Sequence, residues 1–230
     1  MSPSELGLRA RKKAMTRDAI AQAALRLTVT HGLGYLTIDR IAEAAIVSPR
    51  TVTNYFPGKE AALVAAASPD MGALTLALRA RPADEPVLHS LSTVFVGQAR
   101  SRTPAQVTVQ MQVLRLLEQH PTLWPYRLAE DIDLERSLST VIAGRTRRDE
   151  TVDLMPTLVG AAAVAAVRSA LRLWGRSEGA SGALPDLIEE AFANLASGCD
   201  HPAATFAGAR DDPSAAGADR GLPVGPTARG

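Results

Sequence analysis

Apolar residues recur along this chain at intervals of three and four, which is the spacing that places side chains on one face of an α-helix. No stretch shows strand-like alternation of apolar and polar residues for more than a few positions. Glycine, proline and N-cap residues divide the pattern into separate helices. The pattern therefore predicts an all-α protein of about nine helices.

Start and stop signals place the first helices. Gly32 ends a helix that begins near Arg11 or Thr16, because glycine accepts the left-handed backbone of a helix C-terminus. Thr37 caps a second helix, and Ser48-Pro49 opens a third that Pro57-Gly58 ends. A fourth helix follows as far as about Ala67.

The same signals predict five further helices. They begin near Pro86, Pro104, Leu123, Pro156 and Leu184, and the last three reach about Arg147, Trp174 and Ala196. The helix over 104–118 carries two apolar stripes, so we expect it to lie centrally. In the helix over 123–147, the spacing predicts that Leu128, Ile132, Leu138 and Ile142 face inward. Residues 199–230 are rich in alanine, glycine and proline without periodicity, which is typical of a disordered tail.

Composition narrows the class of protein. The chain has 230 residues, 46% of them hydrophobic and 21% charged. It has no apolar run of the ~18 residues that a membrane span needs, and its N-terminus lacks the apolar segment of a signal peptide. The single cysteine, Cys199, excludes an internal disulfide and a thiolate zinc site. These features predict a cytoplasmic protein without a membrane role.

The charge is unevenly distributed. Residues 1–60 hold nine Lys or Arg and five acids, a net charge of +4 within a chain whose total is +1. A basic N-terminal segment favours a polyanionic partner, although a run of charge is more often a solvated surface.

The third predicted helix has one apolar and one polar face. Val52 and Phe56 share the inward side, whereas arginine, asparagine, threonine and tyrosine side chains lie outward. A short helix of this kind, packed on a preceding helix, has the dimensions of a recognition helix in a DNA major groove, where Arg50 can pair with guanine and Asn54 with adenine. A plain surface helix explains the same pattern, so the helix pair alone leaves both readings open.

The segment TRDAIAQAALRLTVTHGLGYLTIDRIAEAAIVSPRTVTNYFPGKEAAL, residues 16–63, resembles the DNA-binding domain of TetR-family transcriptional regulators. The shared features occur in order: a basic lead-in, A-A-x-x-L, a Thr-Ile helix start, I-A-x-x-A, V-S and Y-F-x-x-K-E-x-L. The resemblance covers about a quarter of the chain, and beyond it only the number and lengths of the helices match.

The resemblance implies a domain organisation and a set of DNA contacts. It implies a flexible basic arm over 1–13 (Arg9, Arg11, Lys12 and Lys13), a DNA-binding domain over 14–74 with its helix-turn-helix at 37–56, and a helical effector-binding and dimerisation domain over 75–198. The implied DNA contacts are Thr37, Pro49, Arg50, Thr51, Thr53, Asn54, Tyr55 and Lys59.

Two residues depart from the family pattern. Ile46 stands where a small turn residue such as glycine is usual, which predicts a less left-handed turn. Thr53 stands where an aromatic residue commonly contacts phosphate, which predicts a shorter or missing contact.

For the remaining helices, the resemblance implies a homodimer and a small-molecule effector. The helices over 156–174 and 184–196 suit a two-fold four-helix interface, with Leu187, Phe192 and Leu195 as interface candidates. The effector-pocket candidates are Phe95, Met111, Leu114, Arg115 and Trp124, and ordinary core packing explains the apolar ones equally well. Arg100, Arg102 and Arg115 are candidates to meet an anionic effector.

Other functions find less support in the sequence. It lacks the phosphate-binding loop, the G-x-S-x-G motif and the H-E-x-x-H motif, and its four histidines have no ligand spacing. Asp131, Asp133 and Glu135 form an acidic patch that we interpret as the solvated side of a helix. The sequence thus predicts neither catalysis nor a metal or cofactor site. A constitutive DNA-binding protein without an effector, and an activator of the same family, remain open.

Overall fold

The computed structural model describes residues 3–176 and 183–199, and within them the chain forms ten α-helices. Short 3₁₀ turns at 33–35, 65–67 and 121–123 join some of them. The helices are α1 Pro3–His31, α2 Ile38–Ala45, α3 Pro49–Tyr55, α4 Lys59–Val64, α5 Met71–Arg79, α6 Val87–Arg100, α7 Pro104–Gln119, α8 Trp124–Thr146, α9 Leu154–Arg176 and α10 Ala183–Ala196.

The all-α class is confirmed, and nine of the ten helices lie close to their predicted positions. The additional helix is α5, which begins after Ser68-Pro69 because the Asp70 carboxylate accepts a hydrogen bond from the Ala73 N–H. At the N-terminus, α1 begins at Pro3, so the backbone of residues 3–13, predicted to be a flexible arm, is helical and continuous with the first helix. Of the predicted disordered tail, residues 200–230 lie outside the described residues.

Two apolar clusters organise these helices. The head core joins α1 to α4 with the end of α7, and its large members are Ile20, Leu25, Leu36, Ile41, Val52, Phe56, Leu63, Val64, Val113, Leu117 and Leu123. The body core joins α5 to α10, and its large members are Leu74, Leu78, Leu91, Phe95, Met111, Leu134, Leu138, Ile142, Leu171, Trp174, Ile188 and Phe192.

Helix α7 was predicted to lie centrally in its own domain, and the structure goes further by placing it in both cores. Met111 is buried in the body core, with Val107 and Leu114 packed against it. Val113 and Leu117 are buried in the head core. The helix starts with a capping box, in which Thr103 and Gln106 satisfy each other's backbone N–H. A single rigid helix therefore connects the two cores.

The prediction for α8 was wrong at two positions. Leu128 and Ile132 are 51% and 44% exposed, while Leu134 and Leu138 are buried. The buried stripe of α8 runs through Asp131 instead, which the sequence analysis had assigned to a solvated acidic patch and which is 1% exposed. Leu128 and Ile132 have the same four-residue spacing as the buried residues of α8, but they lie about a quarter-turn around the helix from them.

Helices α8 and α9 approach each other closely. A Cβ atom added at Gly160 would lie 3.1 Å from the Glu135 carbonyl oxygen of α8. By length and composition, α9 is apolar enough to cross a membrane, as is the bent pair formed by 59–67 and 71–79. Core helices pass the same test, and α9 buries Val164, Leu171 and Trp174 in the body core.

Candidate nucleic-acid interface

The turn between α2 and α3 fixes the angle between these two helices. The Ile46 N–H bonds to the Glu43 carbonyl at 3.1 Å and the Val47 N–H to the Ala42 carbonyl at 2.9 Å. These two bonds form a Schellman motif at the C-terminus of α2. The motif requires a left-handed backbone at the residue that ends the helix. Ile46 adopts that conformation, with φ 56° and ψ 49°. The expectation of a less left-handed turn was therefore wrong, because the hydrogen bonds dictate the backbone whichever residue is present.

Helix α3 is anchored at its start and on one side. The Ser48 hydroxyl accepts a hydrogen bond from the Thr51 N–H at 3.0 Å, and proline occupies the first helical position. Val52 is fully buried and Phe56, just after the helix, is 3% exposed. The seven-residue helix is thus held by a cap and two apolar contacts, and its other side is exposed to solvent.

The exposed side of α3 carries hydrogen-bonding side chains. Arg50 and Asn54 are exposed, and neither side chain has a hydrogen-bond partner among the described residues. Pro49 and Thr53 are also exposed, and Tyr55 is half-buried beside the head core. The Thr53 hydroxyl donates to the Arg50 carbonyl at 3.1 Å, which leaves its lone pairs available as acceptors. This face can donate to and accept from the edges of base pairs.

Positive charge gathers where α2 begins. Thr37 caps the helix by accepting a hydrogen bond from the Arg40 N–H at 3.3 Å. Lys59 Nζ donates to the Leu36 carbonyl at 2.8 Å, and Arg40 Nη1 donates to the Tyr35 carbonyl at 2.8 Å. Two cations therefore adjoin the positive end of a helix dipole, an arrangement that attracts a phosphate.

Sequence reasoning missed Arg40 in this group. Its guanidinium carbon lies 3.6 Å from the centroid of the Tyr35 ring, so the stacked ring holds it beside Thr37. The signal in the sequence was its position one turn after the cap residue, on the same side of α2 as Thr37.

Two family models match the chain. Residues 20–67 match the model for bacterial regulatory proteins of the tetR family, and residues 85–200 match the model for the MftR C-terminal domain. The HTH-type transcriptional regulator TcmR of Streptomyces glaucescens is 33% identical over 178 residues, covering 75% of this chain and 79% of TcmR. The chain belongs to the TetR family of transcriptional regulators. Its function is therefore DNA-binding regulation and not catalysis, as the resemblance implied.

A solved structure of a TetR-family repressor shares this fold. Thermus thermophilus FadR, a TetR-family transcriptional repressor solved in complex with lauroyl-CoA, has a TM-score of 0.51 at 22% identity, and the match covers 82% of this chain and 97% of that one. The fatty acid degradation regulator FadR from Bacillus halodurans has a TM-score of 0.49 at 20% identity, covering 81% and 97%.

The body of this TetR-family regulator contains a cleft of about 200 Å³ between α7, the start of α8 and the end of α9. Its apolar walls are Leu114, Leu117, Trp124 and Leu171. The guanidinium of Arg172 lies 5.4 Å from the Trp124 ring centroid and forms part of the opening. The cleft is smaller than most drug-sized pockets, so a larger ligand must move these helices apart.

The predicted pocket residues do not all meet at this cleft. Leu114 and Trp124 line it. Phe95 and Met111 are buried in the body core, where the Phe95 ring lies 6.0 Å from that of Phe192. Arg115 is exposed on α7. Apolar periodicity identified side chains that are buried but did not distinguish packed positions from the wall of a cleft.

A link between head and body lies at Arg17 of α1. Its Nη2 donates to Glu130 Oε1 of α8 at 2.8 Å, while its guanidinium carbon lies 5.0 Å from the centroid of the Phe56 ring. The same side chain therefore contacts the residue that ends α3 and a helix of the body. Together with α7, which contacts α1 and residues 65–67, it gives the body two connections to the head.

Proposed function

We propose that this regulator is a cytoplasmic homodimeric repressor that binds a palindromic operator through α3 and is released by a small hydrophobic or amphipathic effector. The observation that carries the proposal is the rigid, exposed face of α3, on which Arg50 and Asn54 have no partners among the described residues. The Ser48 cap and the buried Val52 anchor this helix, so its exposed side chains project from a fixed backbone.

The DNA contacts divide by chemistry. Arg50 and Asn54 pair with base edges, since a guanidinium matches guanine and a carboxamide matches adenine. The other residues bind phosphates or sugars, or pack on thymine methyl groups, and fix the register of the helix. They are Thr37, Pro49, Thr51, Thr53, Tyr55 and Lys59. We add Arg40 to the phosphate group.

Lys59 has a double role in this scheme. Its ammonium donates to the Leu36 carbonyl and lies 3.9 Å from the Glu60 carboxylate, so a phosphate would share its remaining N–H donors with that acid. Lys59→Ala is therefore expected to weaken binding to all duplexes alike and also to lower the stability of the head. Lys59→Arg, which keeps the charge, serves as its control.

Dimerisation supplies the second reading head. One recognition helix contacts few base pairs, whereas a two-fold pair reaches two major grooves ~34–36 Å apart. We assign the interface to α9 and α10, and the exposure of Leu158 and Leu173 on α9, at 57% and 54%, supports α9 as a contributor. On α10, Phe192 is 2% exposed within its own chain, which favours Leu187 and Leu195 over Phe192 as interface residues.

Effector binding is coupled to the head through α7. A ligand that widens the cleft displaces Leu114 and Leu117, and Leu117 is also packed in the head core. A shift of α7 therefore moves α1 and residues 65–67, which it contacts, and the Arg17 contact with Glu130 transmits motion of α8 to α1. A ligand acts in this way only if it binds the DNA-free arrangement more tightly. Lauroyl-CoA, the ligand in the T. thermophilus FadR structure, has an apolar tail and an anionic head, which supports an amphipathic effector here.

The deciding experiment measures affinity for a duplex selected from a random pool and for an unselected duplex, by fluorescence anisotropy. Arg50→Ala should lose about 1–3 kcal/mol on the selected duplex and much less on the unselected one. Arg136→Ala makes the same charge change on α8, where the side chain is exposed and pairs with Asp133, and should change neither affinity. Equal losses on both duplexes would mean that Arg50 only contacts the backbone.

The effector is tested separately, by release of the bound duplex during a screen of fatty acids, acyl thioesters and hydrophobic drugs. A compound that releases DNA should also raise the melting temperature of the free protein, since a ligand at 100 times its Kd adds ~2.7 kcal/mol. Release without such stabilisation would point to competition at the DNA surface. A regulator that no compound releases would favour the constitutive alternative.

A further inference from the structure

An ionic cluster of one buried carboxylate and two arginines lies between α8 and α9, with the Arg168 side chain 32% exposed. Asp131 is 1% exposed, and its two oxygens face different arginines. Arg127 Nη2 lies 2.8 Å from Oδ1, and Arg168 Nη1 lies 3.3 Å from Oδ2. The Arg127 side chain is 11% exposed. One carboxylate is thus shared by two guanidinium groups, which leaves one positive charge without a partner.

A third arginine increases this surplus. Arg102, in the loop before α7, has no ion-pair partner among the described residues, and its Nη1 is enclosed without a hydrogen bond. Burial, and then repulsion from Arg127, lower the pKa of Arg102. Enclosed positive charge is costly unless an anion balances it. The carboxylate of Asp131 balances only part of this charge.

The ionic cluster adjoins the apolar cleft. On α8, Arg127 lies three residues after Trp124 of the cleft wall, and on α9, Arg168 lies four residues before Arg172 of the opening. Residues with these spacings are neighbours on one side of a helix. On α7, Gln110 lies four residues before Leu114, is 3% exposed, and has an Nε2 without a hydrogen-bond partner. The polar groups therefore lie one turn away from the apolar walls on all three helices.

We propose that Arg102, Arg127 and Arg168 form a binding site for the anionic head of an amphipathic effector, whose apolar body occupies the cleft walled by Leu114, Trp124 and Leu171. This inference rests on the proposed effector function and specifies its ligand class, an apolar chain or ring system that ends in a carboxylate or a phosphate. The head group supplies the negative charge that the cluster lacks, and Gln110 supplies a further donor.

The other two arginine candidates have different surroundings. Arg100 pairs with Glu189 at 3.4 Å, and both side chains are more than 60% exposed. Arg115 is exposed as well. Because both guanidinium groups are solvated, water screens their attraction for an anion. Of the three arginines that the sequence indicated, Arg102 alone belongs to the site.

The test is isothermal titration calorimetry of the full chain with decanoate, decyl phosphate and decan-1-ol, which share a tail and differ in the head. We expect at least one anion to bind about tenfold or more tightly than the alcohol, and the stronger of the two identifies the head group. Arg102→Met should abolish this preference and leave the affinity for the alcohol within about twofold. Because the substitution removes an unpaired enclosed cation, it should also raise the melting temperature without ligand. Arg136→Met, the exposed control, should change none of these values.

A second variant keeps the proposal falsifiable if Arg102→Met does not fold. Arg168→Gln leaves Asp131 paired with Arg127 and should likewise reduce the anion preference about tenfold. If all three probes bind equally in the wild-type chain, or if both variants keep the preference, the anion site is refuted while an effector function survives. If no probe binds, the anion site is refuted, and the DNA-release screen decides the effector function independently.

Discussion

Replacing Ile46 with glycine should stabilise the helix-turn-helix. Ile46 holds a left-handed backbone at φ 56° because two hydrogen bonds of the α2 terminus require it, and its side chain is 93% exposed. A left-handed conformation costs an L-residue about 1–2 kcal/mol, and β-branching makes it less favourable still. The side chain contacts almost nothing, so its removal forfeits little packing. Glycine also gives the unfolded chain more conformational freedom, which offsets about 0.5–1 kcal/mol of this stabilisation.

The net expectation for Ile46→Gly is therefore an increase of about 1 kcal/mol in the free energy of unfolding, or a rise of about 2–4 °C in melting temperature. Ile46→Ala is the matched control, because it removes the same exposed hydrophobic surface but keeps the Cβ that opposes the left-handed backbone. It should change stability by less than about 0.5 kcal/mol. Urea unfolding at one fixed protein concentration measures both. If alanine stabilises as much as glycine, or glycine destabilises, the strain at Ile46 is not real.

Three further predictions concern the body, each measured by urea unfolding. Gly160→Ala should destabilise the protein by about 1–3 kcal/mol, because its Cβ would lie 3.1 Å from a backbone oxygen of α8. Gly144→Ala, where nothing lies within 4 Å of the added Cβ, should instead stabilise it by up to about 1 kcal/mol, and equal effects of the two substitutions would contradict the close helix contact. Arg145→Met should cost about 2–3 kcal/mol, since its guanidinium donates to the Leu78 carbonyl at 3.0 Å and to three other oxygens around the end of α5; a loss below about 0.5 kcal/mol would mean that water replaces these bonds. Hydrogen bonds from the guanidinium of Arg81, and then from the Ser90 hydroxyl, lower the pKa of Glu85 from 4.5 to about 2, so its contribution to stability is present above pH 4.5 and is lost as the pH falls toward 2. Glu85→Gln should flatten the dependence of the unfolding free energy on pH between 4.5 and 2, and an unchanged dependence would contradict the assignment.

The helices were predictable because their local signals agree with their packing. Ser48 with Pro49 begins α3, and Thr103 with Gln106 begins α7, by hydrogen bonds within four residues. The double stripe of α7 likewise predicted a central helix, although not that its second stripe packs in the head core. Helix α5 was not predicted, because its start depends on one capping carboxylate, Asp70, and the preceding proline is typical of a helix end.

Features that depend on several helices were not predictable from periodicity. Asp131 looks like a solvated acid until α9 brings Arg168 to it, and Leu128 has the spacing of a buried residue but is half-exposed among the described residues. Leu114 and Trp124 line a cleft while Met111, on the same stripe as Leu114, is packed. The distinction depends on the distance between helices, which a single sequence does not encode locally.

The most direct test of the account is selection of bound duplexes from a random pool, carried out in parallel with the wild-type chain and with Arg50→Ala. The account predicts an enriched inverted repeat for the wild type, with half-site centres about one helical turn apart, and loss of preference at one position in each half-site for the variant. No enrichment by the wild-type chain, or the same motif from both proteins, would contradict the claim that the exposed face of α3 reads DNA.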